Sequence, residues 1–189
     1  WKDIHESDMT LMHDPASAVM DPFAAQNSLI VFCDVVEPST GEPYSRDPRS
    51  VIHRANAYLN YTGIGDSAMF GPELEFFVFD DVRFDVSMNH TFYAINSEEG
   101  PYATGKEFIE GNHGHRPPAK GGYFPVSPTD TFHDLRGEMV YEMMKIGIVV
   151  EAHHHEVGTA GQAEIDMQFA PLLQMADQFM WYKYIIKNV

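Results

Sequence analysis

The hydrophobic and polar positions of this chain switch between helical and strand periods several times, and the switches divide it into elements. Residues 1–28 follow neither period and carry Asp-Pro turn signals at 14–15 and 21–22. From Leu29 to Val36 the run is apolar, which predicts a buried strand. A Pro/Gly loop from Glu37 to Arg46 then leads into a well-signalled helix. Asp47 stands at the N-cap, Pro48 at the first helical position and Gly63 past the end. Val51, Ile52, Ala55, Tyr58 and Leu59 form its expected apolar stripe. This loop-to-helix junction is the best candidate for a domain boundary, with one unit over residues 1–46 and another over 47–189.

A strand period returns over Glu73–Phe79, and a second strand near Arg83–Met88 is available to pair with it. Residues 89–128 are rich in Gly, Pro and His and hold few periodic runs; a loop that long inside a compact domain is usually functional. A helix is predicted from Thr129 or Asp130 to about Ile146. Phe132, Leu135, Met139 and Met143 make its face, with Val140 and Met144 beside them, and Gly147 ends it. Ile148–Val157 and Ala163–Phe169 read as a hairpin around Gly158 and Gly161, and Pro171–Val189 as an apolar helix. The chain starts at Trp1 in mid-pattern and its last helix has no C-cap, so it is expected to be a piece of a longer protein.

Composition narrows the function. Of 189 residues, 44% are hydrophobic and 13% aromatic, ample for a packed core. Net charge is −16, from 28 acidic against 12 basic residues, which argues against nucleic acid and anionic membranes as partners. No stretch approaches the roughly 20 apolar residues of a membrane span. The lone Cys33 cannot form an intrachain disulfide and reads as a buried strand thiol in a reducing compartment. A cytoplasmic protein is expected, with carboxylates to spare for hard divalent cations.

Two segments place those carboxylates. In GPELEFFVFD, residues 71–80, Glu73 and Glu75 share one strand face while Leu74, Phe76 and Val78 pack behind. Phe77 and Phe79 continue the acidic face, which argues against an ordinary solvated surface. In VVEAHHHEVGTAGQAEIDMQF, residues 149–169, a turn centred on Ala160 sets Glu156 directly opposite Glu164. Like charges facing across a ladder destabilise it unless a cation lies between them. His153, His154 and His155 alternate faces and cannot converge on one ion. The helical His-Glu-x-x-His spacing of zinc proteases is absent. For His153 and His155 the plainer role, a hydrogen-bonded histidine, is favoured. Oxygen-rich glutamates without cysteine favour Mg²⁺ or Mn²⁺, as phosphoryl transfer from ATP commonly uses. His113, His115, Arg116 and Lys120 form the only basic cluster, and a solvated loop is its default reading.

GPELEFFVFD, KGGYFPVSP and VEAHHHEVGTAGQAEI, in this order and separation, resemble the catalytic-domain motifs of bacterial-type (type I) glutamine synthetases. The opening WKDIHESDM is similar to the segment that follows an aspartate-bearing motif of that family. The resemblance implies an α+β fold: the end of a β-grasp N-terminal domain, then a curved antiparallel sheet with flanking helices. It implies ATP-dependent ligation of ammonia to glutamate through an acyl phosphate, with two divalent metals. By the same resemblance Glu75, Glu156 and Glu164 match the ligands of one metal and Glu73 a ligand of the second. Glu151 and Phe169 match nucleotide contacts, and Tyr123 with Glu156 part of the ammonium pocket. A homo-oligomer of two stacked hexameric rings, a dodecamer, is implied as well. The alternatives are a ligase for another amine, such as putrescine or methylamine, and a catalytically silent metal- or nucleotide-binding relative.

Overall fold

The computed structural model describes residues 8–103 and 115–189. Most of the WKDIHESDM segment, and His113 of the basic cluster, lie outside the described residues. The fold is α+β; among the described residues there are small antiparallel sheets and three α-helices, and the chain divides into two compact units.

The first unit holds the described residues up to Gly71 together with Lys145–Ile148 and Gln168–Asn188. Its strands pair antiparallel: β1 (Thr10–His13) with β4 (Cys33–Val36), β2 (Val19–Met20) with β3 (Leu29–Ile30), and β5 (Met69–Phe70) with β11 (Ala170–Pro171). Helix α1 (Pro48–Thr62) begins and ends as its capping chemistry predicts. The Asp47 carboxylate accepts from the Ser50 N–H, and Gly63 takes the left-handed conformation at φ 66°. Helix α3 (Leu172–Asn188) buries Met175, Trp181, Tyr182 and Ile185. Arg49, on the first turn of α1, fastens the unit. Its guanidinium donates to Asp34 at 2.9 Å, to Asp14 at 2.6 Å and to both carboxylate oxygens of Asp177 at 2.5 and 2.7 Å.

The second unit holds the described residues of Pro72–Met144 and Val149–Met167. A three-stranded antiparallel sheet is its centre, in the order β6 (Glu75–Phe77), β10 (Gln162–Met167), β9 (Val150–His155). Strand β10 sits between the other two, and Gln162, Ala163, Glu164, Ile165 and Met167 are all buried. Strands β7 (Asp81–Val86) and β8 (Thr91–Asn96) form a separate hairpin. Helix α2 (His133–Lys145) buries Met139 and Met143, and also Arg136, which is ion-paired with Asp130.

Several expectations need correction. The strand over 29–36 is two strands, because Val31 and Phe32 leave the ladder; Leu29 is exposed and the other strand residues are half-buried where burial was expected. The Phe32 N–H bonds to the Ser17 hydroxyl and its carbonyl accepts from the Asp14 N–H. Cys33 is half-buried for the same reason. Of the α1 stripe, Ile52 and Leu59 are half-buried while Val51, Ala55 and Tyr58 are exposed. Strand β7 does not pair with the Glu73–Phe79 segment; it folds back on β8, which lies inside the expected long loop. Helix α2 starts at His133, later than 129 or 130, because Asp130 is engaged by Arg136 and by the Phe132 N–H.

Candidate metal centre

Strand alternation builds the site. His154 on β9 is the partner of Glu164 on β10, and Glu164 is the partner of Glu75 on β6, so all three share one face. Glu156 follows on that face and pairs with Gln162, its N–H donating to the Gln162 carbonyl. The turn therefore centres on Thr159, one residue earlier than expected. Glu156 is diagonal to Glu164, and His154 is the residue directly opposite. Moving a turn centre by one residue slides the register by two, which preserves the face.

On this face the donor atoms of His154, Glu156 and Glu164 lie within 4.8 Å of one another, and all three residues are buried. Nδ1 of His154 is 3.6 Å from a Glu156 oxygen; its Nε2 is 3.5 Å from Glu164 and 3.6 Å from Asp166. Burial, then the charge of Asp166 and the hydrogen bond and charge of Glu156, with Glu75 adding to them, push the Glu164 carboxyl up to about 7. Gln162 joins the turn to the next strand: its Nε2 donates to Glu75 at 2.5 Å and its Oε1 accepts from the Gly158 N–H at 2.5 Å. The Glu156 carboxylate also accepts from the Val157 N–H at 2.6 Å.

Phe124 stacks on the His154 ring with centroids 4.3 Å apart, and Tyr123 meets that ring edge-on at 5.8 Å. Tyr123 is thereby brought beside His154. Glu73 and Glu151 are exposed and lie outside the three-residue group. Phe169 belongs to the first unit, where its Cβ would meet one added at Gly71 at 3.5 Å. Of the neighbouring histidines, His153 accepts from Arg136 at 3.3 Å, and burial together with the Arg136 charge lowers its pKa. His155 is buried against Glu99 on the opposite face. The sequence reading passed over His154, Gln162 and Phe124 as site residues. The first two were detectable, since each is two positions from a singled-out glutamate on the same strand.

The three-residue group fits a divalent cation: two carboxylates and one imidazole, with a Glu164 carboxyl so crowded that it holds its proton near neutrality, while Glu75 lies exposed beside it and accepts from Gln162. A hard cation there would offset the mutual repulsion that raises Glu164. Fold and donor set together define a class, an α+β protein whose antiparallel sheet carries a buried carboxylate cluster able to hold such an ion.

The family models for the glutamine synthetase catalytic domain and the glutamine synthetase β-grasp domain match residues 45–189 and 1–38. The chain belongs to the glutamine synthetase family. It is 53% identical over 189 residues to a glutamine synthetase of Azospirillum brasilense, covering all of this chain and 40% of that protein. It is also 54% identical, with the same coverage, to a 3-hydroxylaminophenol mutase of Cupriavidus pinatubonensis. The chain thus spans about two fifths of the length of these curated relatives. Its structure matches a cryo-electron-microscopy structure of Plasmodium falciparum glutamine synthetase with a TM-score of 0.86 at 26% identity, over 99% of this chain and 36% of that one.

Proposed function

We propose that the full-length protein joins ammonia to the γ-carboxylate of glutamate at the expense of ATP, through a γ-glutamyl phosphate, and that this chain supplies part of the site. The buried group of His154, Glu156 and Glu164, beside Glu75, is the observation that carries the reading in a chain of this family. Glu75, Glu156 and Glu164 would hold one Mg²⁺ or Mn²⁺, and Glu73 would contribute to a second. Glu151 and Phe169 would contact the nucleotide. When bound, the cations neutralise phosphate charge and let two anions meet. Glu156 and Tyr123 would form one wall of the ammonium pocket, the carboxylate offsetting the cation's charge and the hydroxyl accepting from an N–H. The family models meet between residues 38 and 45, which supports a domain boundary near residue 46. No helix among the described residues is long and apolar enough to cross a membrane. The net charge of −16 speaks against nucleic-acid partners, and the proposed location is the cytoplasm.

Full-length enzyme given ATP, Mg²⁺ and glutamate is expected to turn over ammonium far better than putrescine or methylamine at equal concentration. Tyr123→Phe should raise the ammonium KM about tenfold, the scale of one lost hydrogen bond, while leaving the ATP KM nearly unchanged. A reversed amine preference would move the assignment to another γ-glutamyl ligase. Because one relative is named a mutase, 3-hydroxylaminophenol belongs in the same assay. Its isomerisation without any glutamine formation would overturn the reading, and binding without turnover of either kind would indicate a silent relative.

A homo-oligomer, proposed as a dodecamer of two hexameric rings, is supported by the β7–β8 hairpin. The pairs Val82↔Ile95 and Phe84↔Tyr93 share one face with Val86, and the four residues Val82, Phe84, Val86 and Tyr93 are 51%, 71%, 73% and 78% exposed. A contiguous apolar strip of this kind is uncommon on a monomer's surface. Sedimentation of the full-length protein should show a large assembly, and Phe84→Glu should shift it toward smaller species. A stable, active monomer of the wild type would contradict the proposal.

A further inference from the structure

Behind the carboxylate cluster, on the other face of β9 and β10, lies a charged pair to which the proposed chemistry gives no part. Glu99 and His155 are each 1% exposed. Oε1 of Glu99 accepts from the Thr131 N–H at 2.9 Å and the Thr131 hydroxyl at 3.0 Å. Its Oε2 accepts from the Gly161 N–H at 2.9 Å and from Nε2 of His155 at 2.6 Å. The surroundings of both oxygens are donors, which calls for an ionised carboxylate. On the far side of the ring, Nδ1 of His155 faces the carbonyls of Gly122 at 2.7 Å and Glu156 at 2.9 Å, and carbonyls only accept. That nitrogen must donate, so the ring bridges a carboxylate and two carbonyls through N–H groups at both ends.

A buried ion pair contributes little to net stability, because the cost of desolvating both charges offsets their attraction. What this pair does is connect. It joins the turn of the β9–β10 hairpin at Gly161, the approach to α2 at Thr131, the main chain of Glu156, and Gly122, the residue before Tyr123. We infer that Glu99 and His155 are positioning residues for the amine side of the site, holding the backbone of Tyr123 against that of Glu156.

Two further observations point the same way. A Cβ on Gly122 would lie 2.7 Å from the Glu156 carbonyl oxygen and 2.7–2.8 Å from atoms of the His155 ring, so the segment passes too close for any side chain there. On either side of Tyr123, Lys120 and Phe124 hold left-handed conformations at φ 64° and 54°. Non-glycine residues stay in such geometry only where the surroundings fix them. The hydrogen bond from His155 to the Gly122 carbonyl lies between those two strained positions and supplies that restraint.

The inference rests on the ammonium pocket proposed above. Its test is steady-state kinetics of the full-length enzyme carrying Glu99→Gln or Gly122→Ala. An amide at 99 turns its NH₂ toward donors whichever way it is flipped; an alanine at 122 displaces the segment without altering any charge. Both should raise the ammonium KM on the order of ten- to a hundredfold, the scale of a misplacement near 1 Å, and hold the ATP KM within about twofold. A purely structural role would raise both KM values together or lower only the melting temperature, and either result would overturn the inference, as would unchanged kinetics. If Glu99→Gln does not assemble, Gly122→Ala decides. Wild-type enzyme that makes no glutamine would instead overturn the pocket itself.

Discussion

Glu164→Gln in the full-length protein is expected to remove most of the stabilisation that Mg²⁺ or Mn²⁺ confers on the wild type. Glu164 is 6% exposed, on the central strand, with Glu75 opposite on one side and His154 opposite on the other. Glutamine keeps its shape and deletes one charge, so the fold should survive while the cation loses a donor. A cation at a hundred times its Kd stabilises by about 2.7 kcal/mol, and each tenfold loss of affinity removes about 1.4 kcal/mol of that. Catalysis should fall by more than about tenfold, since even changes among groups behind the ligands cost about ten- to a hundredfold. Thermal melts of both proteins, with and without metal, provide the check. Equal gains on adding metal would show that Glu164 does not bind it.

Without metal the sign reverses. The Glu164 carboxyl sits near 7 in the folded protein, above its ordinary 4.5, so folding takes up a proton between those values. Its repulsion destabilises the fold fully above about pH 7 and is relieved as pH falls toward 4.5. Metal-free Glu164→Gln should therefore melt higher than metal-free wild type at pH 8, by about 1 to 3 kcal/mol. The gap should close as the pH is lowered toward 5. A gap that is constant with pH would mean that Glu164 titrates normally.

Gly161→Ala is expected to be the most damaging single methyl group in the second unit. Gly161 holds φ 78°, and an added Cβ would lie 2.2 Å from the Val78 carbonyl oxygen, a backbone atom that cannot rotate away. The same glycine accepts from the Val78 N–H at 2.9 Å and donates to Glu99. The left-handed conformation costs alanine about 1–2 kcal/mol and the forced backbone shift a similar amount, for a loss of about 3 kcal/mol. Denaturant or thermal unfolding measures it. A loss below about 1 kcal/mol would mean that the hairpin turn does not pass this close to Val78.

The parts of this fold that were legible in the sequence are those decided by neighbours in the chain. Helix α1 followed from Asp47, Pro48 and Gly63 because caps act over a few residues. The shared face of Glu156 and Glu164 followed from strand alternation, and it survived a wrong register because the error was an even number of residues; Glu75 was joined to them only by the family resemblance. In the actual register the Gln162 side chain bonds to Gly158 across the turn, a contact that no spacing rule reports. Pairing of β6 with β10 was equally hidden. The obvious partner for β6 was the next strand, whereas the actual one begins 85 residues further on at Gln162, and no local pattern encodes a contact of that separation. Glu99 stands in an aperiodic turn after β8, where one glutamate looks like another until its four donors are seen.

Arg49 carries a consequence for the order in which the first unit can form during synthesis. Two of its three partners, Asp14 and Asp34, are already made when it leaves the ribosome, but Asp177 follows 128 residues later. Until then the nascent segment has a guanidinium and two carboxylates without the third, and it lacks the helix that supplies Met175, Trp181 and Ile185 to its core. The intervening residues include the sheet and hairpin of the second unit, whose last strand ends at Met167. Closing so long a loop adds little to the equilibrium cost, since loop entropy grows only with the logarithm of length, but it delays the event. In a chain made from one end to the other, the segment that precedes the second unit is thus completed after it, and the carboxylate-bearing sheet can close first.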